Sequence, residues 1–357
     1  MRSQVTVDGD AIAANVARLQ HAHGGAIWAV VKADGYGHGA IVVGRAALAA
    51  GAIGVAVATA GEARRLRSAL PGVRILILSP LAPGDERDLD GLEVTVSTAA
   101  GWELVRERDG LTVHVKVETG MGRWGLDPDD ALAVGRAIEG GSLRLGGLCS
   151  HLATAEDRDT AYAHEQIARF RAVAAAFPPC PRHLANSGGA LYLDAARFDQ
   201  ARCGIALYGI SPRDEDPGAD GLRPVLSWRS EVRTVRTLLA GQSSGYGRRV
   251  LADRPTRLAL VPVGYGDGYP RRAAGTAEAL IGGRRYRVGS VAMDQLALVL
   301  DDDTPAQPGD GVTLVGTDSE ERVGIEELAR CAGTIGYEIA CGFRPRDDRE
   351  LREAIGG

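Results

Sequence analysis

The chain has 357 residues, a formal net charge of -5, 45% hydrophobic residues and 24% charged ones. That length holds two or three domains, or one large barrel with an appendage, and no apolar run is long enough to cross a bilayer. The mild acidity argues against a nucleic-acid binder, which wants a concentrated basic face, and the polar start Met1–Asp10 does not read as a secretory signal, so a cytoplasmic protein is expected.

Through the first two thirds, short apolar runs alternate with helical stretches. The candidate strands are Ile27–Lys32, Gly54–Thr59, Ile75–Ser79, Glu93–Ser97, Thr112–Glu118, Leu145–Ser150, His183–Asn186 and Asp199–Arg202. Most are almost continuously apolar, as parallel strands buried on both faces are. Helices are predicted over His38–Ala50, over Glu62–Leu70 with Thr59 as N-cap, over Asp127–Glu139 with proline and acids in its first turn, and over Arg158–Phe177. Arg64, Arg65 and Arg67 stand beside acids on one of these stretches and read as a solvated helix face. Eight strand–helix units predict an α/β fold, a (β/α)8 TIM-type barrel. An open doubly wound sheet is the alternative, because periodicity does not reveal closure.

The pattern changes after Gly209. Pro212–Pro224 is rich in Pro, Gly and Asp and reads as a linker. Beyond it, β-like runs at Ser227–Leu239, Thr256–Val263, Tyr286–Val291, Leu296–Leu300 and Val312–Val315 predict a mainly β C-terminal domain, followed by a short helix at Gly324–Cys331. The expected division is a barrel domain over 1–222 and a β domain over 223–357, with residues 1–8 available to pair with the latter. The five cysteines (Cys149, Cys180, Cys203, Cys331, Cys341) show no paired metal spacing, so free thiols and no metal site are expected.

Barrel chemistry sits where strands end in βα loops. At the predicted strand ends stand Lys32, Arg123, His151, Asn186-Ser187 and Arg202. Lys32 alone reads as a strand-end lysine reaching for water. Its surroundings argue otherwise: Gly35, Gly37 and Gly39, with Tyr36 and His38 between them, allow close backbone approach to a ligand, and a desolvated lysine is the residue that forms a Schiff base with an aldehyde. The Gly204 and Ile205 amides, with the Ser187 and Tyr36 hydroxyls, could form a phosphate cup at the seventh and eighth strands, the frequent barrel arrangement. Ser187 also reads as a plain helix N-cap. Arg202 remains cationic and can only donate. Facing a pyridine nitrogen, it would keep that nitrogen unprotonated and the ring a weak electron sink, which favours proton return over transamination. A salt bridge from Arg202 to Asp199 or Asp194 is the competing reading.

These blocks resemble the bacterial alanine racemases. Ala29–Gly39 resembles their cofactor-lysine signature, and the likeness continues through Lys116–Gly125, Ser150–Ala155, Ala185–Ser187, Ala201–Gly209, Val263–Arg271 and Gly289–Gln295, in the family's order. The resemblance implies pyridoxal 5'-phosphate bound covalently by Lys32. It implies phosphate held by Tyr36, Ser187 and the Gly204 and Ile205 amides, Arg202 at the pyridine nitrogen, and His151 in that polar network. Arg123 would touch the cofactor's phenolic oxygen and the substrate carboxylate, steadied by Lys116, which the family often carbamylates. Tyr265 is the conspicuous tyrosine, yet its spacing to Met293 matches a gate residue. Tyr246 matches the second base; read alone, it is a hairpin-turn tyrosine. Tyr246 and the Met293 amide would come from the partner subunit, so the resemblance implies a homodimer with active sites shared across its interface. A tyrosine base needs cationic neighbours, and His151 and Arg202 are the expected ones.

The implied activity is two-base racemisation of alanine, Lys32 acting on the D-enantiomer and Tyr246 on the L-enantiomer, supplying D-alanine for peptidoglycan. Two departures bear on substrate range. Cys341–Arg346 is compressed, with Phe343 its only aromatic, and Ala292 stands where many members carry a larger residue. A racemase for serine or lysine would share every motif. A PLP-dependent decarboxylase is disfavoured by the Arg202 block, and a non-catalytic PLP carrier by the β domain.

Overall fold

The computed structural model describes residues 3–344. They divide into two compact units, one of residues 10–213 and 218–223, the other of residues 3–9, 214–217 and 224–344. Strand β1 (Ser3–Val7) belongs to the second unit.

In the first unit β2 (Ala26–Val30), β3 (Gly54–Val57), β4 (Ile75–Ile77), β5 (Glu93–Val96), β6 (Thr112–Lys116), β7 (Arg144–Cys149), β8 (Arg182–His183) and β9 (Gln200–Cys203) pair in parallel around a closed barrel. Closure runs through β9 on β2, with Ala26 opposite Gln200 and Trp28 opposite Arg202. The open-sheet alternative is thereby removed. The outer helices follow local signals. Thr59 caps Ala60–Ala69 in a reciprocal capping box with Glu62. Pro128 and the acids after it start Pro128–Glu139. The helix predicted from His38 begins only at Ala40, because Gly37 and Gly39 have φ of 79° and 94°.

The barrel interior departs from the usual layers of branched aliphatics. Trp28, Glu93, His114, His183, Gln200 and Arg202 are all buried strand residues, and they contact one another: Trp28 Nε1 donates to Gln200 Oε1 at 2.7 Å and its ring meets His114 edge-on.

In the second unit the strands are β10 (Leu226–Glu231), β11 (Thr234–Leu238), β12 (Ser243–Ser244), β13 (Val250–Leu251), β14 (Thr256–Val261), β15 (Glu278–Ile281), β16 (Arg284–Val291), β17 (Leu296–Leu300), β18 (Gly311–Asp318) and β19 (Glu321–Val323). They form an antiparallel sheet in the order β1-β10-β18-β15-β16-β17-β14-β11, with β19 added to β18 and β12–β13 a separate hairpin. The single run expected over Ser227–Leu239 is two strands that part at Val232, β10 going to β1 and β18 and β11 to β14. Phe343 is 1% exposed and packs on Trp228 at 4.9 Å between ring centroids. The one aromatic of the compressed segment is therefore a core residue; Pro345 and Arg346 lie outside the described residues. Among the described residues no helix is long and apolar enough to cross a membrane.

Candidate active site

β2 stops at Val30, and Lys32 opens a turn instead of ending the strand. Ala33, Asp34, Gly35 and Tyr36 have φ between 52° and 63°, the left-handed region that costs an L-residue about 1–2 kcal/mol. The turn is held from outside. Glu62 Oε1 accepts from the Ala33 amide at 2.7 Å, Asp34 Oδ1 accepts from the Ala40 amide at 3.0 Å, and Gly35 N donates to Val31 O at 2.9 Å. The other oxygen of Glu62 accepts from the Ala58 and Thr59 amides. One carboxylate thus fixes both a helix start and the backbone beside Lys32. Strain that is over-determined in this way gathers at functional sites.

Tyr36 leans on Tyr208, 4.9 Å between centroids, and its hydroxyl reaches the β9 terminus. A Cβ on Gly204 would stand 2.4 Å from Tyr36 Oη, so only glycine fits there. Ser187 Oγ accepts from the Gly204 amide at 3.0 Å and the Ala206 amide at 3.3 Å. The helix cap is Asn186, which accepts from Gly189 N at 2.9 Å, so the N-cap reading of Ser187 is corrected. Tyr36, Ser187, Gly204 and Ile205 are brought together, although the Gly204 amide points at Ser187 Oγ.

Arg202 is 6% exposed. Its Nη1 donates to His183 O at 2.6 Å and His183 Nδ1 at 2.8 Å; its Nη2 donates to Ser150 O at 2.5 Å and, longer, to Leu184 O and His151 Nδ1. Among the described residues no carboxylate pairs with it. Asp194 binds Arg197, and Asp199 accepts from the Arg182 amide. Burial alone pulls the guanidinium below its ordinary pKa, but an arginine stays charged.

Around Arg202 lie the other cations. Burial first, then repulsion from Arg202 and Arg123, brings Lys116 down to about 8 despite the neighbouring Cys149 and Glu118. Arg123 stands in a loop organised by Glu118, whose carboxylate accepts from the Gly120, Met121 and Arg123 amides. His151 is set by Gln166, which donates to His151 O at 3.0 Å and accepts from Ala153 N at 2.8 Å. Burial, then the charges of Arg202, Lys116, Arg123 and Lys32, holds His151 well below the ordinary imidazole value. The expectation of a cationic His151 is therefore corrected: surrounded by four cations, it is neutral. The same electrostatic reach places Lys32, Lys116, Arg123, His151 and Arg202 in one cluster at the carboxyl ends of the barrel strands.

Tyr246, Tyr265 and Met293 belong to the β unit. They line a cavity of about 580 Å3 together with Ala292. Tyr246 is 77%, Met293 56% and Tyr265 41% exposed. Tyr265 N donates to Ala292 O at 3.0 Å and Gly266 N to Met293 O at 2.8 Å, which ties the tyrosine turn to the Met293 turn. Arg344 N donates to Asp267 O at 2.8 Å and pins that turn from behind.

Sequence reasoning missed Glu62, Glu118, Gln166, Glu93, His114 and His183. The last three carried a readable signal: a titratable side chain within a parallel barrel strand, as His114 stands between Val113 and Val115.

Residues 7–212 match the family model described as Alanine racemase, N-terminal domain, and residues 225–351 the one described as Alanine racemase, C-terminal domain. The alanine racemase of Symbiobacterium thermophilum is 39% identical over 358 residues, covering 96% of this chain and 95% of the relative. The crystal structure of alanine racemase from D-cycloserine-producing Streptomyces lavendulae superposes with a TM-score of 0.92 at 34% identity, over 99% of this chain and 98% of that one. That from Bartonella henselae, solved with covalently bound pyridoxal phosphate, gives 0.90 at 29% identity over 99% and 100%. Matched end to end in both of its domains, the chain belongs to the alanine racemase family, and it is an amino-acid racemase.

Proposed function

We propose that this chain interconverts L- and D-alanine with pyridoxal 5'-phosphate, as a cytoplasmic homodimer whose sites are completed across the interface. The observation that carries the reading is the convergence of Lys32, Arg123, His151, Ser187 and Arg202 at one end of a closed barrel. The residues fit the cofactor. Gly204 has no Cβ, so Tyr36 Oη can stand against the end of β9 close to Ser187 Oγ; these hydroxyls and the Ile205 amide would hold the phosphate, joined by the Gly204 amide once it turns from Ser187 Oγ. Lys32 would hold the group covalently, and Arg202 would donate to its ring nitrogen. When bound, the cofactor supplies the electron sink that makes the substrate α-proton removable.

The chain's own residues do the rest. Arg123 positions the substrate carboxylate and the cofactor's phenolic oxygen. Lys116, near pKa 8, is partly an uncharged amine at neutral pH. Its lone pair can add to carbon dioxide and shed a proton, giving a carbamate that would steady Arg123. Lys32 Nζ takes or returns the proton on one face, acting on D-alanine. Tyr246 Oη of the second copy does so on the other, acting on L-alanine, beside the Met293 amide and behind Tyr265 as gate. The exposure of Tyr246 supports a base that meets its substrate only in a dimer. The D-alanine formed would serve peptidoglycan. Because Ala292 lines the cavity beside Met293, serine or lysine racemisation is the second reading, and a panel of L-amino acids separates the two.

The decisive test is on Lys32. The purified protein is expected to absorb near the visible edge and to bleach on borohydride with the cofactor fixed to the chain. Lys32→Ala should do neither; a Lys32→Ala protein that still bleached and retained the group would overturn the reading.

A further inference from the structure

An unbroken row of hydrogen bonds runs through the barrel interior from Arg202 away from the site. Arg202 Nη1 meets His183 Nδ1 at 2.8 Å, His183 Nε2 meets His114 Nδ1 at 2.9 Å, and His114 Nε2 meets Glu93 Oε2 at 2.8 Å. Arg74 closes the far end with Nε to Glu93 Oε1 at 2.6 Å and Nη2 to Oε2 at 2.9 Å. The strands are shaped for this row. A Cβ on Gly146 would stand 2.6 Å from His114 Nε2, and one on Gly147 would stand 2.9 Å from His114 Nδ1 and 3.0 Å from His183 Nε2. The β6–β7 register shifts between Val113 and His114. Both imidazoles are wholly buried.

The two ends fix every proton between them. A guanidinium only donates and a carboxylate only accepts. His183 Nδ1 must therefore accept, His183 Nε2–H must donate to His114 Nδ1, and His114 Nε2–H must donate to Glu93. Burial is the largest influence on both imidazoles and favours their neutral forms. Burial also opposes ionisation of Glu93, yet hydrogen bonds from His114 and Arg74 outweigh it and take its pKa to about 2.

We infer that Glu93 is a positioning residue for the reaction: through the polarised His114–His183 pair it balances the charge of Arg202, which has no carboxylate of its own, and so tempers how strongly Arg202 donates to the cofactor ring. This rests on the proposed placement of Arg202 at the ring nitrogen. Linked hydrogen bonds in a low-dielectric interior polarise one another, so an anion two imidazoles away is felt at the guanidinium. Glu93→Gln removes the anion in either amide orientation, and in one of them it also breaks the row at His114. It sets an NH2 group against Arg74 Nε, or against His114 Nε2, and the second choice would reverse both tautomers until a donor faced Arg202. A more acidic Arg202 makes the ring a stronger sink, so more substrate nitrogen passes to the cofactor while the keto acid leaves.

The test uses full-length holoenzyme with 15N-labelled histidine, its signals assigned by single histidine substitutions. His114 and His183 are expected as neutral rings protonated on Nε2 throughout the histidine titration range. An Nδ1–H tautomer or an imidazolium at either position overturns the row, whatever the fate of the cofactor reading. In folded Glu93→Gln, keto acid released per racemisation should rise about tenfold and the cofactor's visible absorption should move. Thr95→Val, on the same strand with a buried hydroxyl that has no partner, should change neither. Unaltered spectra and partition in Glu93→Gln would overturn the inference while leaving Lys32 as cofactor lysine. Should Glu93→Gln fail to fold, Arg74→Gln at the more exposed end leaves the Glu93 charge less compensated and is expected to shift both readouts in the opposite direction; no shift there, or a shift the same way as the loss of Glu93, would also overturn it.

Discussion

At the barrel mouth Arg202 is 6% exposed and gripped by carbonyls and imidazoles from β7 and β8 and the loops after them, whereas on the β unit Tyr246 is 77% exposed, with no regular element longer than three residues on either side of it. The first region is preorganised: the left-handed turn after Lys32, the Glu118 loop and the Gln166 clamp are each fixed by hydrogen bonds from the same unit. The second offers an exposed tyrosine and an exposed methionine on a cavity wall. A hydrogen-bonded, buried half and an exposed half are what the proposed assembly-dependent chemistry requires.

The sharpest way to break this comparison is Tyr246→Phe. Losing one base should lower alanine racemisation by about 10²–10⁴-fold, with solvent-proton exchange into L-alanine suffering much more than into D-alanine. Equal losses would show that Tyr246 does not serve one face. Mixing Lys32→Ala with Tyr246→Phe chains sharpens it further. If the halves come from different subunits, each mixed dimer holds one intact site, and random reassortment should restore about a quarter of full activity. No recovery on mixing would place both bases in one chain.

Next in size is Gly204→Ala. The added Cβ must displace the Tyr36 hydroxyl from 2.4 Å. Cofactor affinity should fall about 10–100-fold, with little change in the unfolding transition of the β unit. Unchanged affinity, measured by titrating the cofactor-free protein, would remove the Gly204–Tyr36 approach from the site. Glu93 offers a pH-dependent test of similar weight. Its pKa near 2 lies below the ordinary 4.5, so its ionisation stabilises the fold fully above 4.5 and that gain is lost as pH falls toward 2, about 3 kcal/mol in all. The stability gap between wild type and Glu93→Gln in urea should therefore be wide at neutral pH and narrow in acid; a constant gap would contradict the depressed pKa.

The eight barrel strands were legible because burial on both faces writes continuous apolar runs, and Lys32, Ser187 and Arg202 because they break those runs where loops begin. The left-handed turn was not. Gly35, Gly37 and Gly39 advertised unusual backbone, but Ala33, Asp34 and Tyr36 adopt it through bonds to Glu62 and other partners that no local pattern contains. His114 and His183 carried a signal that strand-end reasoning skipped, since they sit in mid-strand and at a strand shorter than its apolar run. β15 and β19 escaped because their burial depends on β16 and β18, not on any alternation of their own.

The smallest effect separates stability from function within a single motif. Thr59 and Glu62 form one capping box, and removing either cap interaction costs about 1 kcal/mol. Thr59 touches only the helix start. Glu62 also holds the Ala33 amide, where φ is 52° and the backbone beside Lys32 needs support. Thr59→Ala should lower stability by about 1 kcal/mol and leave cofactor binding as it was. Glu62→Ala should cost a comparable amount and in addition weaken binding, because Ala33 is then free to leave the left-handed region and carry Lys32 with it. If the two variants bind the cofactor equally well, the turn's other hydrogen bonds hold it without Glu62, and the support for the barrel mouth is more local than the Glu62 contacts suggest.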